Sequence, residues 1–273
     1  MQDHAERERS GLHRWQRAAS IFAVALPVAA GIAIWQQQHE RVAPVAPVPQ
    51  ASAPLPQLRL ADFQALTPSP DARLLANWVA ATGDNGSRAF MVVDKKESQV
   101  YVFTPDARLK DSSPVLLGQA RGDDIVPGSG PKTPAEMKPE EKTTPAGRFV
   151  AEPGVNADDE DVIWVDYENA ISMHRVRPAV TREHRVERLA SAAPTDNRIS
   201  FGCINLPVPF YENVAKPAAL EYGAIVYVLP EVKTLQQVFG AYDVTDPAQV
   251  AAAQQGRAAG EGVRAAAPSG MSA

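Results

Sequence analysis

The sequence predicts a mostly β domain with a few helices, carried behind an apolar N-terminal segment. Two β-rich runs, 89–93 and 99–103, flank the polar turn 94–98 and read as a hairpin. Further short β-rich runs follow at 114–118, 147–151, 162–165, 170–176 and 224–229, set apart by Gly, Pro and charge. Strands and helices do not alternate regularly, which argues against a doubly wound sheet.

Taken in order, residues 1–17 read as a cytoplasmic N-terminus and 18–36 as a transmembrane anchor or signal segment. From Ala19 to Trp35 there is no charge, close to the roughly 20 apolar residues that span a bilayer. Arg14 and Arg17 precede the run and favour a cytoplasmic start. A cleaved signal peptide is the competing reading, although its apolar stretch is usually about 7–15 residues. Either way the rest of the chain is expected to be exported. The anchor reading places it in the periplasm on the inner membrane. Residues 37–66, rich in Pro and Ala, read as a semi-rigid extended spacer.

A helix is expected over 67–84, with Ser69 as N-cap, Pro70 in its first turn, Leu74, Leu75, Trp78 and Val79 on one face, and Gly83 as its stop. The β domain then occupies 85–232. Within it, 122–144 is long and rich in Gly, Pro and charge, the signature of a lid or binding loop. A short charged helix is expected over 181–189. Another is expected after Asn205, with Asn205 as N-cap, Pro207 in the first turn, and Phe210, Tyr211 and Val214 within it. The extension 233–273 loses apolar content after Val244 and is expected to be largely disordered.

Composition narrows the function classes. The net charge of −5 gives no basic bias, so no nucleic-acid partner is expected. Five scattered His and a single Cys provide no pair at ligand spacing, so no metal is expected. The acidic run Asp158–Asp161 lacks the alternation and glycine of a calcium loop and reads as solvated. No glycine-rich phosphate cradle is present, and no cofactor is expected.

The chemistry concentrates in Arg198-Ile199-Ser200-Phe201-Gly202-Cys203-Ile204-Asn205-Leu206-Pro207. The lone thiol follows a glycine, which allows close backbone approach, and precedes the expected helix start, whose N–H groups favour a thiolate. A buried inert cysteine is the plain alternative. A nucleophilic thiol needs a base, and the domain offers two. His174 ends a strand-like run, whereas His184 lies in the charged segment 181–189, so His174 is preferred.

The stretch Ser200–Asn205 resembles the Ser/Thr-His-Gly-Cys-aliphatic-Asn signature of L,D-transpeptidases. Thr144-Pro145-Ala146-Gly147 is similar to that family's Thr-Pro-x-Gly segment, and the opening hairpin is similar to the start of its domain. The resemblance spans about 88–230. It implies a β-sandwich-like catalytic domain with Cys203 as nucleophile and His174 as base. It further implies that Ser200 shapes the loop, with backbone donors at Gly202 and Cys203 for an oxyanion. Arg175, Arg177 and Arg198, with Phe201 and Asn205, are candidate substrate contacts; for the arginines, ordinary solvation is the plain alternative. The implied partner is the peptidoglycan stem peptide, the acceptor a diamino acid of another stem or a protein amine. Two departures stand out: Phe201 replaces the motif His, and Arg175 follows His174 where glycine is common. A hydrolase on the same fold and a silent peptidoglycan-binding module are the alternatives.

Overall fold

The computed structural model describes residues 58–177 and 181–265. The expected membrane segment and most of the spacer lie outside that range. Ten strands form among the described residues: β1 (Ala89–Asp94), β2 (Gln99–Phe103), β3 (Leu109–Pro114), β4 (Leu117–Gly118), β5 (Gly147–Val155), β6 (Asp161–Asp166), β7 (Ile171–Arg175), β8 (Arg198–Ser200), β9 (Ile204–Leu206) and β10 (Ala224–Val228). Eight hydrogen-bond in the order β3-β2-β1-β10-β5-β6-β7-β9, while β4 and β8 make a two-stranded ribbon. Two neighbour pairs in the large sheet are parallel, β1 with β10 and β7 with β9.

Strand β5 joins two halves of this sheet. Its residues 147–151 pair with β10 and its residues 152–155 pair with β6. A strand that changes partner along its length forms a corner, and the two halves close over one apolar filling as in a sandwich. Met91 and Val102 from one half share that filling with Ile163, Met173 and Ile204 from the other. Leu116 exchanges two 2.9 Å backbone hydrogen bonds with Asn205, which ties the segment after β3 to β9.

Helix α1 (Pro70–Thr82) covers the opposite face of only one half. The Ser69 side chain accepts from Ala72 N–H at the start, and Gly83 at φ 69° ends the helix. Leu75, Trp78 and Val79 pack with Phe90, Tyr101, Phe103, Ile225 and Tyr227. The cover ends at β10. On β5, Val150 and Glu152 of that same face are exposed.

Several expectations need correction. Asn205 caps no helix: it pairs with His174 inside the sheet, and after α2 (Arg185–Leu189) the next helical turn, α3 (Val208–Phe210), starts only past Pro207. Strand propensity in Ile204-Asn205-Leu206 and an available β7 edge override the capping signal. The strand expected over 114–118 narrows to β4 (Leu117–Gly118), and the polar edge strand β3 before it was not expected; its Lys110 and Asp111 are exposed, as edge strands favour. Helix α4 (Lys216–Tyr222) is joined to α3 by a π turn, Tyr211–Ala215, which accommodates Pro217, a residue with no N–H to donate. The extension expected to be disordered instead carries a helix over Pro247–Ala265, for which its many alanines have high intrinsic propensity. Among the described residues no helix is long and apolar enough to cross a membrane.

Candidate active site

In β7, residues 172 and 174 point the same way, and in the adjoining parallel strand Asn205 lies opposite His174. Cys203, just before β9, falls opposite Ser172, and its Sγ lies 3.6 Å from Ser172 Oγ. Thiol, hydroxyl, imidazole and carboxamide thus share one sheet face, the face that α1 leaves uncovered. Sγ also donates to the Ala170 carbonyl at 3.5 Å. Ala170 itself holds a left-handed φ of 55° in the turn between β6 and β7.

The thiol loop is fixed on several sides. Ser200 Oγ donates to the Cys203 carbonyl at 2.6 Å and accepts from Gly202 N–H at 3.1 Å. Gly202 sits at φ 128°, and a Cβ there would come within 2.7 Å of Ile171 Cδ1 and 2.9 Å of the Thr143 carbonyl. No other residue fits that position without displacing backbone. Thr144 Oγ1 donates to the Gly202 carbonyl at 2.8 Å and accepts from Gly118 N–H. The Gly202 N–H is therefore already engaged by Ser200, which corrects its expected role as an oxyanion donor.

A cavity of about 220 Å³ opens beside the thiol, with Cys203, Phe201, Ala170 and Ile171 on one side and Ile125, Lys132, Glu141 and Thr143 of the long loop on the other. The loop's feet converge on Lys95, whose buried ammonium donates to the carbonyls of Gly122 (2.5 Å) and Thr144 (3.0 Å) and to Asp123 (3.0 Å). Asp123 also accepts the N–H groups of Glu231, Val232 and Lys233. Burial pushes its carboxyl pKa up, but these donors outweigh burial and bring it down to about 2. Lys142 stands over the Phe201 ring, 4.6 Å from its centroid.

The imidazole of His174 is oriented at both nitrogens. Nδ1 lies 2.8 Å from the Arg175 carbonyl, which can only accept, so Nδ1 carries the proton. Nε2 then accepts from the Asn205 carboxamide at 3.0 Å. The amide orientation is set by Arg185, whose guanidinium donates to Asn205 Oδ1 at 2.5 Å. Burial lowers the His174 pKa below its ordinary value; the Arg175 carbonyl opposes that, and the charges of Arg177 and Arg185 reinforce it. The ring is a neutral potential base. In this arrangement its lone pair faces Asn205 rather than Sγ.

The other expected site residues fall elsewhere. His184 has a side chain 67% exposed and faces Glu187. Arg175 lies over the Tyr211 ring and pairs with Asp161 and Glu212. Arg177 pairs with Asp158 and Glu160. Arg198, its side chain 8% exposed, pairs with Glu231. Carboxylates of the chain itself thus occupy all three guanidinium groups expected to meet substrate. Ser172 was missed by sequence reasoning, although its place two residues before His174 in a strand already put both on one face. Arg185 and Lys142 carried no sequence signal.

No family model matches the sequence, and no curated protein does. Solved structures do match. The catalytic domain of an E. faecium L,D-transpeptidase is 17% identical over 52% of this chain and 98% of that one, with a TM-score of 0.30. An L,D-transpeptidase from Mycobacterium smegmatis is 17% identical over 52% of this chain and 59% of that one, with a TM-score of 0.30. The helical cell shape determining protein Pgp2 from Campylobacter jejuni is 15% identical over 55% of this chain and 50% of that one, with a TM-score of 0.34. The chain spans 59% and 50% of the length of the last two. Likeness at this level assigns neither family nor activity.

Proposed function

We propose that this protein is a cysteine acyltransferase of peptidoglycan. Cys203 would take an acyl group from a tetrapeptide stem with release of D-alanine and pass it to an amine. The observation that supports this most is the placement of the only thiol on the wall of an open cavity, one strand from a neutral imidazole on the same sheet face. The resemblance of Ser200–Asn205 and of Thr144–Gly147 to family segments supports it independently, because Thr144 holds Gly202 by a hydrogen bond.

In the resting arrangement Sγ is directed at the Ala170 carbonyl. For chemistry, the His174 ring leaves Asn205 and its Nε2 takes the Sγ proton. The thiolate attacks the stem carbonyl, and the protonated ring then donates to the leaving D-alanine nitrogen. An incoming amine resolves the thioester; water in its place would give hydrolysis. We further propose that the apolar segment 18–36 anchors the domain on the periplasmic side of the inner membrane.

A silent peptidoglycan-binding module is the second reading, favoured by one observation: Nε2 is bonded to Asn205 and not to the thiol. Intact-mass measurement after exposure to a carbapenem tests the nucleophile. The expected result is a single covalent adduct on the parent protein and none on Cys203→Ala. An adduct that persists in that variant would sink the assignment, and a parent protein that takes none would favour the silent module.

A further inference from the structure

The open half-face of the sheet carries more than the thiol. Trp164 of β6 pairs with Ser172 on one side and Glu152 of β5 on the other, so Glu152, Trp164, Ser172 and Cys203 form one row across four strands. Opposite residues in a sheet present side chains to the same face. The indole lies over Gly154, where a Cβ would come within 2.7 Å of Trp164 Cδ1 and 2.8 Å of its Nε1. Gly154 has no positive φ, so the glycine there serves space rather than backbone freedom. Tyr167, 74% exposed, meets the indole edge-on at 5.0 Å between centroids. Val150, 47% exposed, continues the apolar strip on β5.

We propose that Trp164 and Tyr167 form a saccharide-binding shelf that seats the neutral N-acetylhexosamine strand of the substrate. The claim rests on the peptidoglycan reading given above. An aromatic ring packed on a glycine in the face of a sheet suits the apolar C–H face of a β-linked hexose, while the indole N–H and the Glu152 carboxylate serve hydroxyl and amide groups. The exposed carboxylate of Glu152, in the same row as the indole, favours a neutral sugar over a phosphate polymer. Spacing agrees. Two strand separations of about 4.8 Å put the base of Trp164 about 10 Å along the row from the base of Cys203. Three extended residues, the part of a tetrapeptide stem between sugar and reacting carbonyl, span about 10 Å.

The test titrates the full chain carrying Cys203→Ala, so that nothing turns over, with two probes: a disaccharide-tetrapeptide and the same tetrapeptide without sugar. Isothermal titration calorimetry reports the encounter, since it needs none of the chain's four tryptophans and so reads Trp164→Ala as it reads the parent. The sugar-bearing probe is expected to bind roughly tenfold more tightly than the bare peptide. Trp164→Ala and, separately, Tyr167→Ala should erase most of that ratio. Tyr167 is so exposed that its removal leaves folding intact. Equal affinity of the two probes for the parent, or an unchanged ratio in both variants, would overturn the shelf. Sugar discrimination without any carbapenem adduct would instead sink the acyltransferase and leave the shelf standing.

Discussion

Replacing Lys95 with Met keeps side-chain length and removes the charge to which both feet of the cavity loop are bonded. The Lys95 side chain is fully buried and its partner Asp123 is 2% exposed. Breaking such a pair costs about 3–5 kcal/mol, because the surviving charge is stranded. Here the lower end applies, since Asp123 keeps three backbone donors and Arg198 still neutralises Glu231. At about 3 kcal/mol, and 2–4 °C per kcal/mol for a domain of this size, the melting midpoint should fall by about 6–12 °C. The loss should also be local, with amide exchange across 122–144 quickening more than in β1 or β10. Acid resistance gives a second reading. The Asp123 pKa of about 2 lies below its unfolded value of about 3.9. Its contribution, about 2–3 kcal/mol, is therefore present above the unfolded pKa and lost as pH falls toward 2. Without the ammonium the folded pKa rises, so the variant should unfold at a higher pH than the parent. Adding Asp123→Asn should recover part of the loss, so that the two substitutions are not additive. A midpoint within 2 °C of the parent, with exchange in the loop unchanged, would refute this account of the cluster.

Gly202→Ala adds a methyl at φ 128° against a side chain at 2.7 Å and a backbone carbonyl at 2.9 Å. Backbone strain of about 1–3 kcal/mol plus overpacking of about 1–3 kcal/mol should lower the thermal midpoint by at least about 4 °C and slow carbapenem acylation; a variant that matches the parent in both measurements would contradict the assigned loop geometry. His174, with its pKa held below the ordinary value of about 6.5, should stay neutral at pH 7, so the acylation rate should lose its base-dependent limb only below about 6.5. The sign for stability agrees: the unfolded ring binds protons first, so this contribution is full above about 6.5 and declines as pH falls through the folded pKa. An inflection above pH 7 would count against His174 as the base. Asn205→Ala removes the donor that favours the neutral ring, so the inflection should move to higher pH; no shift in the pH–rate profile would mean that the amide does not tune the imidazole.

How far the sequence carried the reading depended on how local each signal was. Helix α1 was legible to its caps because Ser69, Pro70 and Gly83 act within one turn of the residues they govern. The β1–β2 hairpin was legible for the same reason, since its turn and its apolar runs are contiguous. Strand β3 was not, because a polar edge has no hydrophobic pattern to read, and its pairing with β2 comes from the neighbour. The cysteine loop divides along the same line. Ser200 and Gly202 act on residues within three positions, and the motif exposes them. Arg185, which sets the amide beside the imidazole, acts across 20 positions through a fold contact that no spacing announces.

The helix-dipole argument for Cys203 failed on that non-local ground, and its failure changes the chemistry. With β9 rather than a helix following the thiol, no row of helix N–H groups is available to draw its proton away. Under the proposed acyl transfer, activation must then come from the imidazole, which burial and the Asn205 donor keep neutral. A neutral ring is the form that accepts a proton, so the carboxamide that holds Nε2 at rest also preserves its capacity to act. Arg185 takes part at one remove, because losing its bond to Oδ1 would let the amide turn and offer oxygen to a protonated ring. The thiol, the base and the tether that keeps the base uncharged are therefore one unit. Under the proposed acyl transfer a seated stem peptide draws the ring from Asn205 to Sγ, and a peptide-bound structure with Nε2 still on the amide would contradict that step.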